Sequence, residues 1–167
     1  MNKKSDFISV FAMVGAALLL IATPEVFARS ASMESVPDAK VLNYRPVRFG
    51  DYEVYYSAFK STFIPPETAE MYSLMRGEKY GIINIAVRNI KDSETGKAVT
   101  STVSGEQQNL MTQVKKLTFR EVKEGSAIYY LADFKFSDEE LLKFTIDVKP
   151  QGGQRAETIQ FEQTFYE

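Results

Sequence analysis

Alternation of apolar and polar residues dominates the chain from residue 47 onward. A period of two residues, interrupted by turn-forming residues at short spacing, is typical of β-strands that are buried on one face. The pattern predicts strands at residues 51–59, 80–88, 98–105, 116–122, 127–136, 144–150 and 157–166. We therefore expect an all-β fold, an immunoglobulin-like β-sandwich of about seven antiparallel strands with one or two short helical segments.

Four of these segments indicate where the core lies. Residues 80–88 are almost continuously apolar, which predicts a central strand. In residues 127–136 one face is apolar throughout, comprising Ile128, Tyr130, Ala132, Phe134 and Phe136. In the last two strands the predicted inward residues are Phe144, Ile146, Val148, Ile159, Phe161 and Phe165.

Two short segments have helical signals instead of strand alternation. Pro66 suits the first turn of a helix over residues 67–75, and Gly77 can end that helix. Ser137 and Glu140 have the spacing of a capping box, which predicts one helical turn leading into residues 141–142.

The N-terminus has the layout of a secretory signal peptide. Lys3 and Lys4 precede an apolar run over residues 7–21, and Val26 and Ala28 are suitable −3 and −1 residues for cleavage after Ala28. The run is short for a membrane span, since about 20 apolar residues are needed. We expect a signal peptide at residues 1–28, a flexible tail at 29–46 and a β-sandwich domain at 47–167. This organisation predicts a periplasmic protein without a stable membrane anchor after cleavage.

Composition excludes several functional classes. The chain has no cysteine and no histidine, so thiolate nucleophiles, disulfides, Ser-His-Asp triads and the usual zinc sites are ruled out. We expect no metal and no cofactor. The net charge of −2 argues against a nucleic-acid partner, which requires a basic surface. A monomer or weak homodimer is expected.

Carboxylates and aromatic residues remain as candidate chemistry. The pairs Asp51 with Glu53 and Asp133 with Asp147 could in principle serve a glycan-directed hydrolase. Each of these carboxylates also fits the solvent-facing side of a strand. The aromatic residues near the first strand are more suggestive, and Tyr55 lies on the face opposite Tyr52. The candidate binding residues are Tyr55, Phe63, Ile64, Pro65 and Pro66.

Four sequence segments resemble the domain-of-unknown-function family 4426, which comprises small secreted proteins of Gram-negative bacteria. They are RFGDYEVYYSAF at residues 48–59, STFIPPE at 61–67, GSAIYY at 125–130 and QTFY at 163–166. The resemblance implies a periplasmic β-sandwich without an established activity or family site residues. A histidine often occupies the position of Tyr55 in that family, so the resemblance implies no catalytic or metal role for Tyr55.

The combined expectation is a non-catalytic binding or accessory module of the cell envelope that recognises a protein or peptide partner. An exposed strand edge or exposed aromatic side chains could provide the contact. A carboxylate-based glycan hydrolase and a structural envelope protein are the alternatives.

Overall fold

Ten β-strands form two antiparallel sheets in the computed structural model of the chain, which describes residues 46–93 and 95–167. The strands are β1 (Val47–Phe49), β2 (Tyr52–Lys60), β3 (Tyr80–Asn89), β4 (Lys97–Ala98), β5 (Ser101–Asn109), β6 (Val114–Leu117), β7 (Arg120–Glu124), β8 (Ala127–Lys135), β9 (Glu140–Pro150) and β10 (Glu157–Phe165). Helix α1 (Pro66–Met71) follows a 3₁₀ turn at Ser61–Phe63. The predicted β-sandwich is confirmed.

Sheet A has the strand order β1-β2-β3-β8-β7, and β4 pairs with the end of β3. Sheet B has the order β10-β9-β5-β6. The inner faces of the sheets share one core, in which the buried residues include Val54, Ile83, Ile85, Phe134, Phe144, Ile146 and Phe165. The central position predicted for residues 80–88 is confirmed, since β3 is paired along both edges. The predicted inward residues of β8, β9 and β10 also belong to this core or pack against it.

The outer face of sheet A has a second apolar layer. Ile82, Val122 and Leu131 point away from sheet B in the strand register and are buried. Residues 61–79, which we call the crossover segment, connect β2 to β3 and contribute the buried Ile64, Ala69 and Leu74. The hydroxyl of Tyr72 donates to Glu124 on β7 at 2.8 Å, so this segment reaches across the outer face.

The predicted strand at residues 116–122 is wrong as a single element. β6 belongs to sheet B and β7 belongs to sheet A, and the chain passes between the sheets at residues 118–119. Leu117 faces the common core, whereas Val122 faces the outer side of sheet A. Leu117 and Val122 are both buried and are separated by an odd number of positions, which interrupts the period of two. This interruption marks the position at which the chain changes sheet.

Strand β5 also differs from the prediction of a strand over residues 98–105. It begins at Ser101 and continues through the polar residues 106–109, which pair with β9. The side chain of Gln107 is buried, and its Nε2 donates to the carbonyl of Lys135 at 3.1 Å. A hydrogen-bonded glutamine therefore takes an inward position that the sequence pattern assigns to apolar residues.

Both helical predictions need correction. Helix α1 ends at Met71, because Ser73 takes a positive φ of 53° and Leu74 N–H donates to Ala69 O. This is a Schellman motif, and Gly77 has no part in it. Ser137 N–H donates to the Glu140 carboxylate at 2.7 Å, as in a capping box, but Glu140 begins β9 and no helical turn forms there.

The predicted signal peptide at residues 1–28 and the predicted tail at 29–46 lie outside the described residues, apart from Pro46.

Candidate functional site

The five predicted binding residues do not form one surface. Tyr55 is half-buried on the outer face of sheet A, whereas Phe63 in the 3₁₀ turn is 73% exposed. Ile64 is one of the buried residues of the crossover segment, whereas Pro65 is half-buried and Pro66 is exposed. Tyr55 lies five residues before the end of β2 at Lys60. At about 3.3 Å per residue, this distance along the strand is roughly 17 Å. Phe63 and Pro66 are thus available for contact, but Tyr55 belongs to a different cluster.

Tyr55 is part of a charged network around a buried carboxylate. The Tyr55 hydroxyl donates to Glu53 Oε2 at 2.9 Å, and Arg48 Nε donates to Glu53 Oε1 at 2.6 Å. The guanidinium of Arg88 lies 5.8 Å from the centre of the Tyr55 ring, within range of a cation–π contact. Glu53 and Arg88 are register partners on β2 and β3, which explains why the network crosses both strands.

The network sets the ionisation of its members. Burial acts to raise the pKa of Glu53, but hydrogen bonds from Tyr55 and Arg48, with the charges of Arg48 and Arg88, lower it below the usual range. Burial raises the pKa of Tyr55, and its hydrogen bond to Glu53 raises it further. Glu53 is therefore ionised, and its two carboxylate oxygens accept hydrogen bonds from Arg48 and Tyr55.

The carboxylate pairs do not converge. Asp133 lies on the outer face of sheet A and forms an ion pair with Arg120 at 2.8 Å. Asp147 lies on the outer face of sheet B, where it accepts a hydrogen bond from Thr158 at 2.6 Å. The common core lies between these two faces. Asp51 is exposed in the turn before β2, and Glu53 is held by Arg48 and Tyr55.

A cleft of about 350 Å³ opens where β3 and β8 part. The ladder between these strands ends at Ile85–Tyr130, and β3 pairs with β4 from Arg88–Ala98 onward. Residues 86–88, 96–98 and 126–129 line the cleft. Its charged lining residues are Arg88 and Lys97, and both are exposed.

The opposite end of the sandwich exposes apolar side chains from two connections between strands and from the segment that follows β10. Phe63 follows β2, Leu110 and Met111 lie in the β5–β6 turn, and Tyr166 follows β10. Leu110 is 79% exposed and Met111 is 72% exposed. We call these four residues the apolar end. Lys79 links the crossover segment to two neighbouring parts of this end, because its carbonyl accepts from Phe136 N–H and its ammonium pairs with Glu167 at 2.9 Å.

Two further findings concern metals and membranes. The described residues contain no group of three or more carboxylates placed to hold a metal ion. Among the helices of residues 46–93 and 95–167, none is long and apolar enough to cross a bilayer.

The class of the protein is a two-sheet antiparallel β-sandwich with a crossover segment packed on one outer face. The chain belongs to the family with a domain of unknown function, DUF4426, whose model matches residues 47–167. A DUF4426 family protein of Pseudomonas aeruginosa PAO1 is 36% identical with a TM-score of 0.64, and the match covers 73% of this chain and 94% of that chain. No curated protein matches the sequence.

The fold is shared with more distant solved structures. FetP of uropathogenic Escherichia coli strain F11, produced in the periplasm of E. coli, is 12% identical with a TM-score of 0.54. That match covers 73% of this chain and 93% of FetP. A copper-bound variant of FetP is 13% identical with a TM-score of 0.55, over 72% of this chain and 93% of that chain. At these identities the likeness establishes the fold alone.

Sequence reasoning missed the cleft and three of the four residues of the apolar end, Leu110, Met111 and Tyr166. Leu110 and Met111 are adjacent apolar residues in a polar stretch, and this departure from the surrounding composition is a usable signal. The cleft has no comparable local signal, because it depends on where the pairing of β3 with β8 stops.

Proposed function

We propose that the protein is a non-catalytic binding module of the cell envelope that recognises a protein partner through its apolar end. The observation that carries the proposal is the exposure of large apolar side chains on two connections and on the segment after β10, at one end of the sandwich. Large apolar side chains exposed together at one end of a soluble domain are a feature of interaction sites.

The energetics favour contact with another protein. Burial of a large apolar side chain contributes roughly 1.5–3 kcal/mol, so four such side chains can supply the central contacts of an interface. The end is also anchored: Glu167 N–H donates to Asp138, and Asn109 Nδ2 donates to Gln113. An ordered surface loses little conformational entropy on binding.

The envelope location is supported by the signal-peptide pattern of residues 1–28. A chain with this pattern is exported, so its partners would be envelope or periplasmic proteins.

A non-catalytic role is supported by the positions of the carboxylates. Asp133 and Asp147 point outward from opposite sheets, and Glu53 is occupied by Arg48 and Tyr55. A glycosidase needs two carboxyl groups about 5–10 Å apart across a cleft that admits a sugar.

The test is chemical crosslinking in intact cells, followed by affinity isolation and mass spectrometry. The variant Phe63→Ser/Leu110→Ser/Met111→Ser removes most of the apolar end. We expect its crosslinks to partner proteins to fall at least tenfold, with the melting temperature changed by only a few degrees, since all three residues are exposed.

Met71→Ser is the matched control, because Met71 is an exposed apolar residue on α1, outside the apolar end. It should retain the crosslinks of the native protein. Equal losses in both variants, undiminished crosslinks in the triple variant, or crosslinks only between copies of this chain would contradict the proposal.

A further inference from the structure

Strand β10 is the outermost strand of sheet B, and one of its edges pairs with no further strand among the described residues. The strand has nine residues, Glu157–Phe165, and its register with β9 runs without interruption along all of them. An uninterrupted free edge presents a row of backbone donors and acceptors with which another strand can pair.

The registers identify the residues whose backbone groups face this edge. Gln151 N–H donates to Thr100 O, and this pair continues the register between β9 and β5. The hydrogen bonds of an antiparallel strand alternate between its two edges, so odd-numbered residues of β9 bond to β5 and even-numbered ones bond to β10. Even-numbered residues of β9 pair with odd-numbered residues of β10. The remaining residues of β10 therefore direct their N–H and C=O groups away from β9; they are Thr158, Gln160, Glu162 and Thr164.

These four residues are accessible at the edge. Their backbone groups have no hydrogen-bond partner within residues 46–93 and 95–167. The side chains of Thr158, Gln160 and Glu162 are exposed, and that of Thr164 is half-buried. The edge can therefore accept a second strand without displacing an existing backbone bond.

The other outermost strands have features that limit such pairing. Strands β1, β6 and β7 have three, four and five residues, and each contains a lysine or an arginine. Short strands and basic side chains are common means by which proteins prevent association between edges. The part of β2 beyond β1 is engaged by Gln163, whose Nε2 donates to Ala58 O at 3.1 Å. Strand β10 is longer than those three strands and contains no lysine, arginine or proline.

Strand β10 is complementary to a second copy of itself. Phe161 is its central residue, so a two-fold axis beside Phe161 pairs the strand along its full length. Gln160 then lies opposite Glu162 of the second copy, and Thr158 lies opposite Thr164 of the second copy. Paired threonines, and an amide beside a carboxylate, are favourable neighbours across strands. An axis beside Glu162 would instead place two carboxylates opposite each other, which is unfavourable.

Phe161 supplies an apolar centre for this contact. Its ring is half-buried and packs on Tyr56 at 4.8 Å and on Phe144 at 4.9 Å. The backbone groups of Phe161 face β9, so the two copies of Phe161 would form a non-hydrogen-bonded pair, in which side chains lie close together. Each ring would cover exposed surface of the other, and polar residues would surround them, as is usual in protein interfaces.

We propose that the protein self-associates through β10, which pairs antiparallel with β10 of a second copy and joins the two B sheets into one continuous sheet. The pairing does not use Phe63, Leu110 or Met111, and it directs the apolar ends of the two copies in opposite directions. The proposal is thus independent of the proposed partner contact, since a partner can bind to either copy.

The first test uses the absence of cysteine from the chain. Gln160→Cys and Glu162→Cys are prepared as separate full-length proteins, mixed, oxidised with diamide and separated by non-reducing electrophoresis. Directly opposite residues of a hydrogen-bonded pair have Cα atoms about 5.5 Å apart, a distance that a disulfide spans. We expect the mixture to yield about tenfold more linked dimer than either variant alone, in which the two thiols are offset along the strand. Both substituted side chains are exposed, so the fold should be kept.

The second test is sedimentation velocity from about 5 to about 500 µM, a range suited to an interface of small area. We expect the native protein to change from monomer to dimer within it. Gln160→Pro removes one donor at the free edge and keeps the bonds to β9, because proline is tolerated in an edge strand. It should weaken self-association about tenfold or more. Gln160→Lys is the matched control: it keeps the N–H and lies opposite Glu162 of the second copy, so self-association should be retained or strengthened.

Four results would overturn the proposal: a native protein that stays monomeric, equal crosslinking in the mixture and in the single variants, undiminished association of Gln160→Pro, or weakened association of Gln160→Lys. Because none of these measurements involves Phe63, Leu110 or Met111, failure here leaves the proposed partner contact to be judged by its own experiment.

Discussion

Glu53 illustrates how a single buried carboxylate determines the chemistry of its surroundings. It occupies the outer face of β2, where its position alternates with core residues, and sequence reasoning read it as solvent-facing. The structure instead buries it and supplies two donors, Tyr55 and Arg48. The main role of the Tyr55 hydroxyl is therefore to stabilise Glu53 within the fold, and not to contact a binding partner.

Tyr55→Phe removes one donor from Glu53 and keeps the ring beneath Arg88. We expect the free energy of unfolding to fall by about 1.5–3 kcal/mol at pH 7, the usual contribution of a hydrogen bond to a charged group. Because the folded pKa of Glu53 is lowered, its contribution is present above its ordinary pKa and is lost as pH falls through the folded pKa. The difference between the two proteins should therefore shrink in acid.

Urea unfolding at pH 7 and at progressively lower pH measures this effect. Tyr52→Phe is the control, since its hydroxyl makes only a long contact of 3.4 Å with Gln151 O. A stability loss in Tyr55→Phe that is constant with pH would show that the hydrogen bond to ionised Glu53 is not its cause.

The crossover segment covers the outer face of sheet A and thereby buries a second apolar layer. It contains two buried hydroxyl groups in contrasting states. Ser61 Oγ donates to Gly77 O and accepts from Gly77 N–H, both at 3.0 Å. Thr68 Oγ1 is buried in α1 and has no hydrogen-bond partner among the described protein atoms.

Substituting these two hydroxyl groups should have opposite effects. Thr68→Val replaces an unpartnered buried hydroxyl by a methyl of similar size, and we expect stability to rise by about 1 kcal/mol. Ser61→Ala leaves the N–H of Gly77 without its acceptor, whereas Gly77 O still accepts from Tyr80 N–H at 3.2 Å, and we expect a loss of about 1–2 kcal/mol. Urea unfolding with unchanged m-values is the measurement, and a loss in Thr68→Val would contradict the assignment.

Prediction of elements from sequence succeeded where burial depends on local periodicity. The continuous apolar face of residues 127–136 identified the core side of β8, because neighbouring residues in a strand point to opposite faces. The change of sheet between Leu117 and Val122 was not predicted, although the odd spacing of these two buried residues indicates it. The end of the β3–β8 ladder at Ile85–Tyr130 follows from pairing between residues far apart in sequence, which no local pattern contains.

The whole molecule depends on aromatic packing between its two sheets. The rings of Phe134 in sheet A and Phe144 in sheet B lie 5.0 Å apart, and Phe134 and Phe165 are also 5.0 Å apart. Tyr56 on β2 packs on Phe161 on β10 at 4.8 Å. These contacts couple the sheets, so neither should keep its structure when the other unfolds.

Phe134→Leu tests this coupling. We expect it to lower the free energy of unfolding by about 1–3 kcal/mol, through loss of buried ring atoms, while leaving a single transition. All tyrosines within the ten strands lie in sheet A, and the chain has no tryptophan, so tyrosine absorbance follows sheet A while far-UV circular dichroism follows both sheets. The two midpoints should coincide, and separated midpoints would show that the sheets unfold independently.

The loop between β9 and β10 offers a practical advantage for work in living cells. Residues 151–156 follow Pro150, at the end of sheet B opposite to Glu140, and Gln154 and Arg155 are exposed. A fluorescent reporter or affinity tag inserted between Gly153 and Gln154 would be remote from the apolar end, whereas one joined after Glu167 would lie beside Tyr166. The position of the reporter therefore determines how a failed capture experiment is interpreted. With the reporter in the β9–β10 loop, the failure indicates that no partner binds, whereas a reporter after Glu167 can itself obstruct the apolar end.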